Sequence, residues 1–123
     1  MTPQQTANKL VELCRTGQYA EATNTLYADN IVSVEPEHAP GESRIEGLQA
    51  KQQKDEYFSQ MIAEYHGTEV SDPLVAGNHI SLKMKLDATF KDGRRMAMEE
   101  VCVYRVNDEG KIDYEEFFFA PGQ

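Results

Sequence analysis

Basic residues are scarce in this 123-residue chain: 12 Lys and Arg stand against 21 Asp and Glu, a formal net charge of -9. A surface this acidic repels phosphate backbones, which argues against nucleic acid and anionic membranes as partners. Cysteine is rarer still. Cys14 falls in a helical pattern and Cys102 in a strand pattern. Both read as small buried hydrophobes, and no disulfide between them is expected. No apolar run approaches the ~20 residues of a membrane span. The opening Met1-Thr2-Pro3-Gln4-Gln5 has neither the basic nor the apolar part of a signal peptide. The expectation is a soluble, cytoplasmic protein. The three histidines lack His-x-His or His-Glu-x-x-His spacing, and Glu35-x-x-His38 lies on a loop, so no metal site is expected. The chain also lacks a Gly-rich phosphate loop and a Ser-centred nucleophile elbow, which leaves no signal for a nucleotide or other cofactor. Internal repeats, linkers and low-complexity tracts are absent as well.

What is present is an ordinary globular composition, 40% hydrophobic and 27% charged, which argues against disorder and for a single domain over residues 1–123. Thr2-Pro3-Gln4-Gln5 is a helix start, with Thr2 as N-cap, Pro3 in the first turn and Gln5 completing a capping box. That helix buries Ala7, Leu10, Val11 and Cys14 at three- and four-residue spacing, and Gly17 stops it. A short second helix uses Tyr19, Ala22, Leu26 and Tyr27. Ile31 to Glu35 is a strand ended by Pro36. A loop from Glu37 to Gly47 holds at most a short strand near Arg44-Ile45. A third helix runs from Leu48 to about Ala63, using Leu48, the stem of Lys51, Tyr57, Phe58, Met61 and Ile62.

Strands follow. Glu64 to Val75 is extended and broken at Asp72-Pro73, and Ala76-Gly77-Asn78 is a turn. Ile80, Leu82, Met84, Leu86, Ala88 and Phe90 then alternate with Ser81, Lys83, Lys85, Asp87 and Thr89, the cleanest period of two in the chain. After Lys91-Asp92-Gly93, a last hairpin pairs Arg94–Val106 with Lys111–Phe119 around Asn107-Asp108-Glu109-Gly110. Helices first and a meander last mean an α+β fold, with the helices packed on one face of a curved sheet. Both strands of the last hairpin carry carboxylates among apolar neighbours. Such a carboxylate costs free energy unless it is paired, protonated or used.

The ending Val106-Asn107-Asp108-Glu109-Gly110-Lys111-Ile112, with the order of elements, resembles the SnoaL-like branch of the nuclear-transport-factor-2-like superfamily. Leu26-Tyr27-Ala28-Asp29-Asn30-Ile31-Val32-Ser33-Val34-Glu35-Pro36 is similar to the opening of that fold in ketosteroid isomerases. The resemblance covers essentially the whole chain and implies a cystatin-like cone. In such a cone a strongly curved, mainly antiparallel sheet encloses one deep apolar pocket, and most members dimerise through the outer sheet face. The fold hosts isomerases, cyclases, dehydratases and non-catalytic carriers, so it does not fix an activity. The isomerases place a general-base aspartate before a proline at the end of the first strand, a position held here by Glu35. Their second acid falls on Cys102 and their helix-1 tyrosine near Leu10. Both oxyanion donors of that mechanism are therefore missing.

The same register turns Met98, Glu100, Cys102 and Tyr104 inward, with Glu115, Phe117 and Phe119 on the final strand. Val101, Val103, Tyr114, Glu116 and Phe118 turn outward, an apolar outer face that favours a homodimer. A one-residue slip would exchange Glu100 for Glu99. The candidate catalytic residues are Glu35 as base, with Glu100 or Tyr104 stabilising an enolate. His38, Tyr57, Phe58, Met98, Cys102, Glu115, Phe117 and Phe119 are candidates for contact with a small apolar ligand. For Glu100 the plainer reading is a buried carboxylate paired with Arg44, Arg95 or a histidine. The expected function is cofactor-independent proton transfer on an apolar carbonyl compound, of isomerase, cyclase or dehydratase type. The alternative is a non-catalytic small-ligand-binding or protein-interaction domain of the same fold.

Overall fold

The structure, a computed structural model, describes residues 1–121; residues 122 and 123 of the expected domain lie outside the described residues. Helix α1 spans Pro3–Arg15, α2 Tyr19–Leu26 and α3 Leu48–Gln60. The strands are β1 Tyr27–Val34, β2 Arg44–Glu46, β3 Ile62–Val70, β4 Leu74–Ala76, β5 His79–Phe90, β6 Arg95–Val106 and β7 Ile112–Phe118.

Local chemistry sets the ends of α1. The Thr2 hydroxyl accepts from the Gln5 N–H at 3.1 Å, and the Gln5 side chain accepts from the Thr2 N–H at 2.9 Å. This is the capping box expected from the sequence. At the other end Gly17 takes φ 74°, a left-handed conformation that glycine adopts without penalty, and its N–H bonds the Cys14 carbonyl.

One sheet carries the fold, in the order β2-β1-β7-β6-β5-β3 with β4 paired to β5. All its pairings are antiparallel except β1 with β7. Leu82 pairs with Cys102, and Cys102 with Phe117, so the inward sets of the last three strands share one face. Glu100, not Glu99, is on that face opposite Met84. Glu99 lies outside with Lys83 at 2.8 Å. Glu116 lies outside too and accepts from the Tyr114 hydroxyl.

The core divides in two. The larger cluster joins Leu10, Val11 and Cys14 of α1 with Leu26, Ile31, Ile80, Leu82, Cys102, Tyr104, Val106 and Ile112. A smaller one at the other end of the sheet holds Ile62, Ala88 and Phe90, with Leu86, Met96 and Met98 packed against it. Cys14 and Cys102 are both buried and unpaired.

Two expectations need correction. The third helix stops at Gln60 rather than near Ala63; Ile62, β-branched and buried in the smaller cluster, already pairs with Phe90 as the first residue of β3. The first strand begins at Tyr27 instead of Ile31. An irregularity between Tyr27 and Val32 lets the Tyr27 ring turn inward, where its hydroxyl finds a buried acceptor.

Candidate active site

The helix face that α3 turns to the sheet is polar. Lys51, Lys54, Asp55 and Phe58 follow the three- and four-residue spacing of one face, and Lys51 is the helix's one buried residue. An ammonium out of water requires compensation, and the sheet supplies it. Lys51 Nζ lies 2.8 Å from Glu115 Oε2 and 2.8 Å from Asp55 Oδ1. Glu115 is fully buried, and it also accepts from the Tyr27 hydroxyl at 2.5 Å and the Ser33 hydroxyl at 2.7 Å. The second Asp55 oxygen accepts from the Thr23 hydroxyl at 2.8 Å. Burial alone pushes the Glu115 carboxyl up, but the Lys51 charge and these hydrogen bonds outweigh it and hold the group below its ordinary value. Burial likewise works against the Lys51 ammonium, and the Glu115 and Asp55 charges reverse that effect and raise it.

The network continues outward. Lys54 Nζ donates to the Ser33 hydroxyl at 2.9 Å and to Glu35 Oε1 at 2.7 Å. It also lies 5.3 Å from the centre of the Phe117 ring, and Lys51 lies 5.8 Å from the same ring. Glu35 and Lys54 are only half-buried, so this end of the chain of polar groups meets the surface.

Glu100 sits nearby on β6, half-buried among Met84, Met98 and Cys102. The Cys102 thiol contacts its Oε1 at 3.6 Å. Burial, reinforced by the negative charge of Glu35, pushes the Glu100 carboxyl up from 4.5 to about 7; the Cys102 contact and Lys51 oppose this weakly. Neither expected arginine reaches it: Arg44 pairs with Glu46 and Arg95 with Asp87. Among the described residues Glu100 has no ion-pair partner, so the plainer reading of it as half of a buried salt bridge is overturned. An open depression of about 420 Å³ lies beside Glu100 where β7 ends and β6 runs on, and Lys83, Glu99, Val101 and Phe118 in its lining belong to the outer face of the sheet.

The other sequence-derived candidates divide by position. Met98 and Phe117 are half-buried on the inner face of the sheet, near Glu100 and Lys54 respectively. Phe58 meets Phe90 edge to face at the rim. Cys102 is fully buried, and Tyr104 is buried edge-on against Phe117 with its hydroxyl away from solvent. Glu115 is internal, an anchor rather than a ligand contact. His38 is exposed, and its Nε2 lies 2.9 Å from the Phe119 carbonyl, tying the β1–β2 loop to the end of β7. Tyr57, at 69% exposed, stands in solvent and is removed from the lining. Tyr27, Ser33, Lys54 and Asp55 are not among the sequence-derived candidates; Lys54 and Asp55 share the helical spacing of Lys51 and Phe58, whereas Tyr27 and Ser33 lie on β1 with no such signal. Among the described residues no group of three or more His, Cys, Asp or Glu is placed to hold a metal ion, and no helix is long and apolar enough to cross a membrane.

Comparison with known proteins identifies the family. The family model for the SnoaL-like domain matches residues 1–119. The chain belongs to the SnoaL-like family. A Mesorhizobium loti protein described as a SnoaL-like polyketide cyclase and, in brackets, as a carbohydrate phosphatase is 35% identical. Its structure superposes with a TM-score of 0.88 over 97% of this chain and 100% of that one. A Pseudomonas putida protein described as a polyketide cyclase shares the fold at 12% identity, with a TM-score of 0.74 over 98% and 93% of the two chains. So does a cystatin-like protein of unknown function from Xanthomonas campestris, at 15% identity and a TM-score of 0.81 over 98% and 92%. No curated protein matches the chain. The SnoaL-like assignment and these neighbours place the chain on the nuclear-transport-factor-2-like, cystatin-like fold.

Proposed function

We propose that this SnoaL-like protein catalyses cofactor-independent proton transfer on a small, largely apolar carbonyl compound, as an isomerase, cyclase or dehydratase does. The observation that carries the reading is the pairing of two unlike carboxyl groups on the inner side of the sheet. Glu35 is held against an ammonium, while Glu100 is pushed up to about 7 by burial and by Glu35 itself. A carboxyl group kept neutral near pH 7 can donate a hydrogen bond to a developing enolate. Ketosteroid isomerase uses the same device, with a protonated aspartate as the donor.

Glu35 takes the proton next to the carbonyl, the electron pair moves onto the carbonyl oxygen, and Glu100 supports that oxygen. Glu100 stands two residues before Cys102, on the same face, and so offers a donor where the isomerase acid is missing. Tyr104 has no part in this scheme because its hydroxyl is buried. Met84, Leu86, Met98 and Phe117 supply the apolar surround that keeps the charge development out of water.

The same reading includes a homodimer through the outer face. Val101 and Phe118 are cross-strand partners there, 45% and 49% exposed, an apolar pair that a second copy would cover.

The test is solvent deuterium exchange into a panel of uncharged ketones and β-dicarbonyl compounds, followed by proton NMR. Exchange that falls at least about 100-fold in both Glu35→Gln and Glu100→Leu, which removes the base and the donor respectively, supports the reading. Exchange that is absent, or indifferent to both substitutions, contradicts it and favours a binding protein of the same fold.

A further inference from the structure

Glu35 lies one residue beyond the end of β1, and its backbone N–H is bonded to the Ser43 carbonyl. Nothing in the ladder fixes its side chain, which has three rotatable bonds to settle. A base that abstracts a proton from carbon needs one geometry, since small misplacements lower the rate steeply. Lys54 is the side chain that touches it.

We propose that Lys54 is a positioning residue: by bridging Ser33 and Glu35 it immobilises one oxygen of the Glu35 carboxylate and leaves the other free to accept a substrate proton. This rests on the proton-transfer reading above and assigns that reading's general base its support. The bond directions are forced. Glu115 is an acceptor, so the single Ser33 hydroxyl hydrogen is committed to it. The Ser33 oxygen can then only accept, and Lys54 supplies the donor. A second Lys54 N–H goes to Glu35 Oε1, while Oε2 has no protein partner among the described residues. Behind Ser33, Glu115 is itself fixed by Lys51 and Tyr27. A polar chain thus runs from the fully buried Glu115 to the half-buried Glu35, and Lys54 is its last rigid link. Phe117 under the ammonium limits the remaining freedom of that link.

The groups acting on Glu100 come from four elements: Glu35 beyond β1, Glu115 of β7, Lys51 of α3 and Cys102 of β6. Glu100 therefore reports on whether the charge of Glu35 is compensated. The experiment is a carboxyl-carbon NMR titration of Glu100 in the parent, Lys54→Met and Lys54→Arg, with deuterium exchange measured on the same samples. Lys54→Met keeps the stem and removes the charge. It is expected to move the Glu100 midpoint upward by about half a pH unit or more and to lower exchange at least about tenfold. Lys54→Arg should return the midpoint towards the parent and recover part of the exchange. Ser33→Ala retains Lys54 but removes its anchor, and the slowly exchanging Lys54 ammonium cross-peak of the parent should then be lost.

A Glu100 midpoint near 7 that Lys54→Met leaves unmoved overturns the positioning role while the proton-transfer reading stands. Persistence of the ammonium cross-peak in Ser33→Ala also overturns it. A parent Glu100 midpoint at the ordinary glutamate value sinks the reading beneath, and this proposal with it.

Discussion

Ser33 and Glu115 are backbone register partners on β1 and β7, and the Ser33 hydroxyl donates to Glu115 Oε2 at 2.7 Å. The fold's parallel strand pair is thereby joined by a side-chain bond at the same level as its backbone pairing. Removing it leaves a buried carboxylate short of one donor and Lys54 short of one acceptor. Ser33→Ala is expected to cost about 1–3 kcal/mol in urea unfolding with no change in the slope of the transition. A cost near zero would show that water or another donor replaces the serine.

The Glu115 pair gives stability a pH dependence of known sign. Its folded value lies below the ordinary one, so its contribution is complete above the unfolded pKa and is lost as pH falls through the folded pKa. Glu115→Gln leaves Lys51 with Asp55 alone and is expected to cost about 3 kcal/mol at pH 7. That deficit should narrow as pH falls below ~4. Thermal midpoints of both proteins across pH 3–8 check it, and a constant gap would contradict the ion-pair account.

Glu100 acts in the opposite sense. Its folded value is raised from 4.5 to about 7, so the folded state holds the proton more tightly than the unfolded one. Stability from this group is full below the unfolded pKa and declines as pH rises to about 7. Glu100→Gln, which mimics the neutral acid, is expected to stabilise the protein by about 2–3 kcal/mol at pH 8 and hardly at all below ~4.5. Chemical denaturation at the two pH values measures this. A destabilising effect at pH 8 would mean that the carboxylate is paired after all.

The outer face makes a separate prediction. Phe118→Lys places a charge in the Val101–Phe118 pair on the outer face of the sheet. Light scattering is expected to show a dimer for the parent and a monomer for the variant. A monomeric parent would remove the dimer from the proposed function and leave the site unaffected.

Much of the fold was legible because its signals are local. Thr2, Pro3 and Gln5 define the start of α1, and the alternation from Ile80 to Phe90 defines β5. The inward set Met98, Glu100, Cys102 and Tyr104 came from the register that the family resemblance implies, and the strand pairing agrees with it. The anchor of the site was not legible in the same way. The stem of Lys51 reads as a helix contact, but Lys54-Asp55-Glu56 reads as a solvated helix face, and nothing in the pattern says which charges compensate the Lys51 ammonium. Only the long-range meeting of α3 with Glu115 and Ser33 makes Lys51 an interior residue and Lys54 a half-buried one.

Aromatic side chains misled in the other direction. Tyr57 follows the helical spacing of Phe58 and Met61 closely enough to be grouped with them. The face of α3 that meets the sheet is set by Lys51, Lys54 and Asp55 instead, and Tyr57 is left in water. Tyr27, read as a helix contact, joins β1 because its hydroxyl bonds a carboxylate 88 positions along the chain. A sequence pattern records which residues share a face, but which opposing charge compensates a buried one is a tertiary fact.

The measurement that bears most directly on the central claim is a carboxyl-carbon NMR titration of the parent protein, with Glu100 assigned through Glu100→Gln. A Glu100 midpoint at about 7 is the result expected from its burial beside Glu35. A midpoint at the ordinary ~4.3 of an exposed glutamate would contradict the account, because the site would then hold no carboxyl group kept neutral to support an enolate.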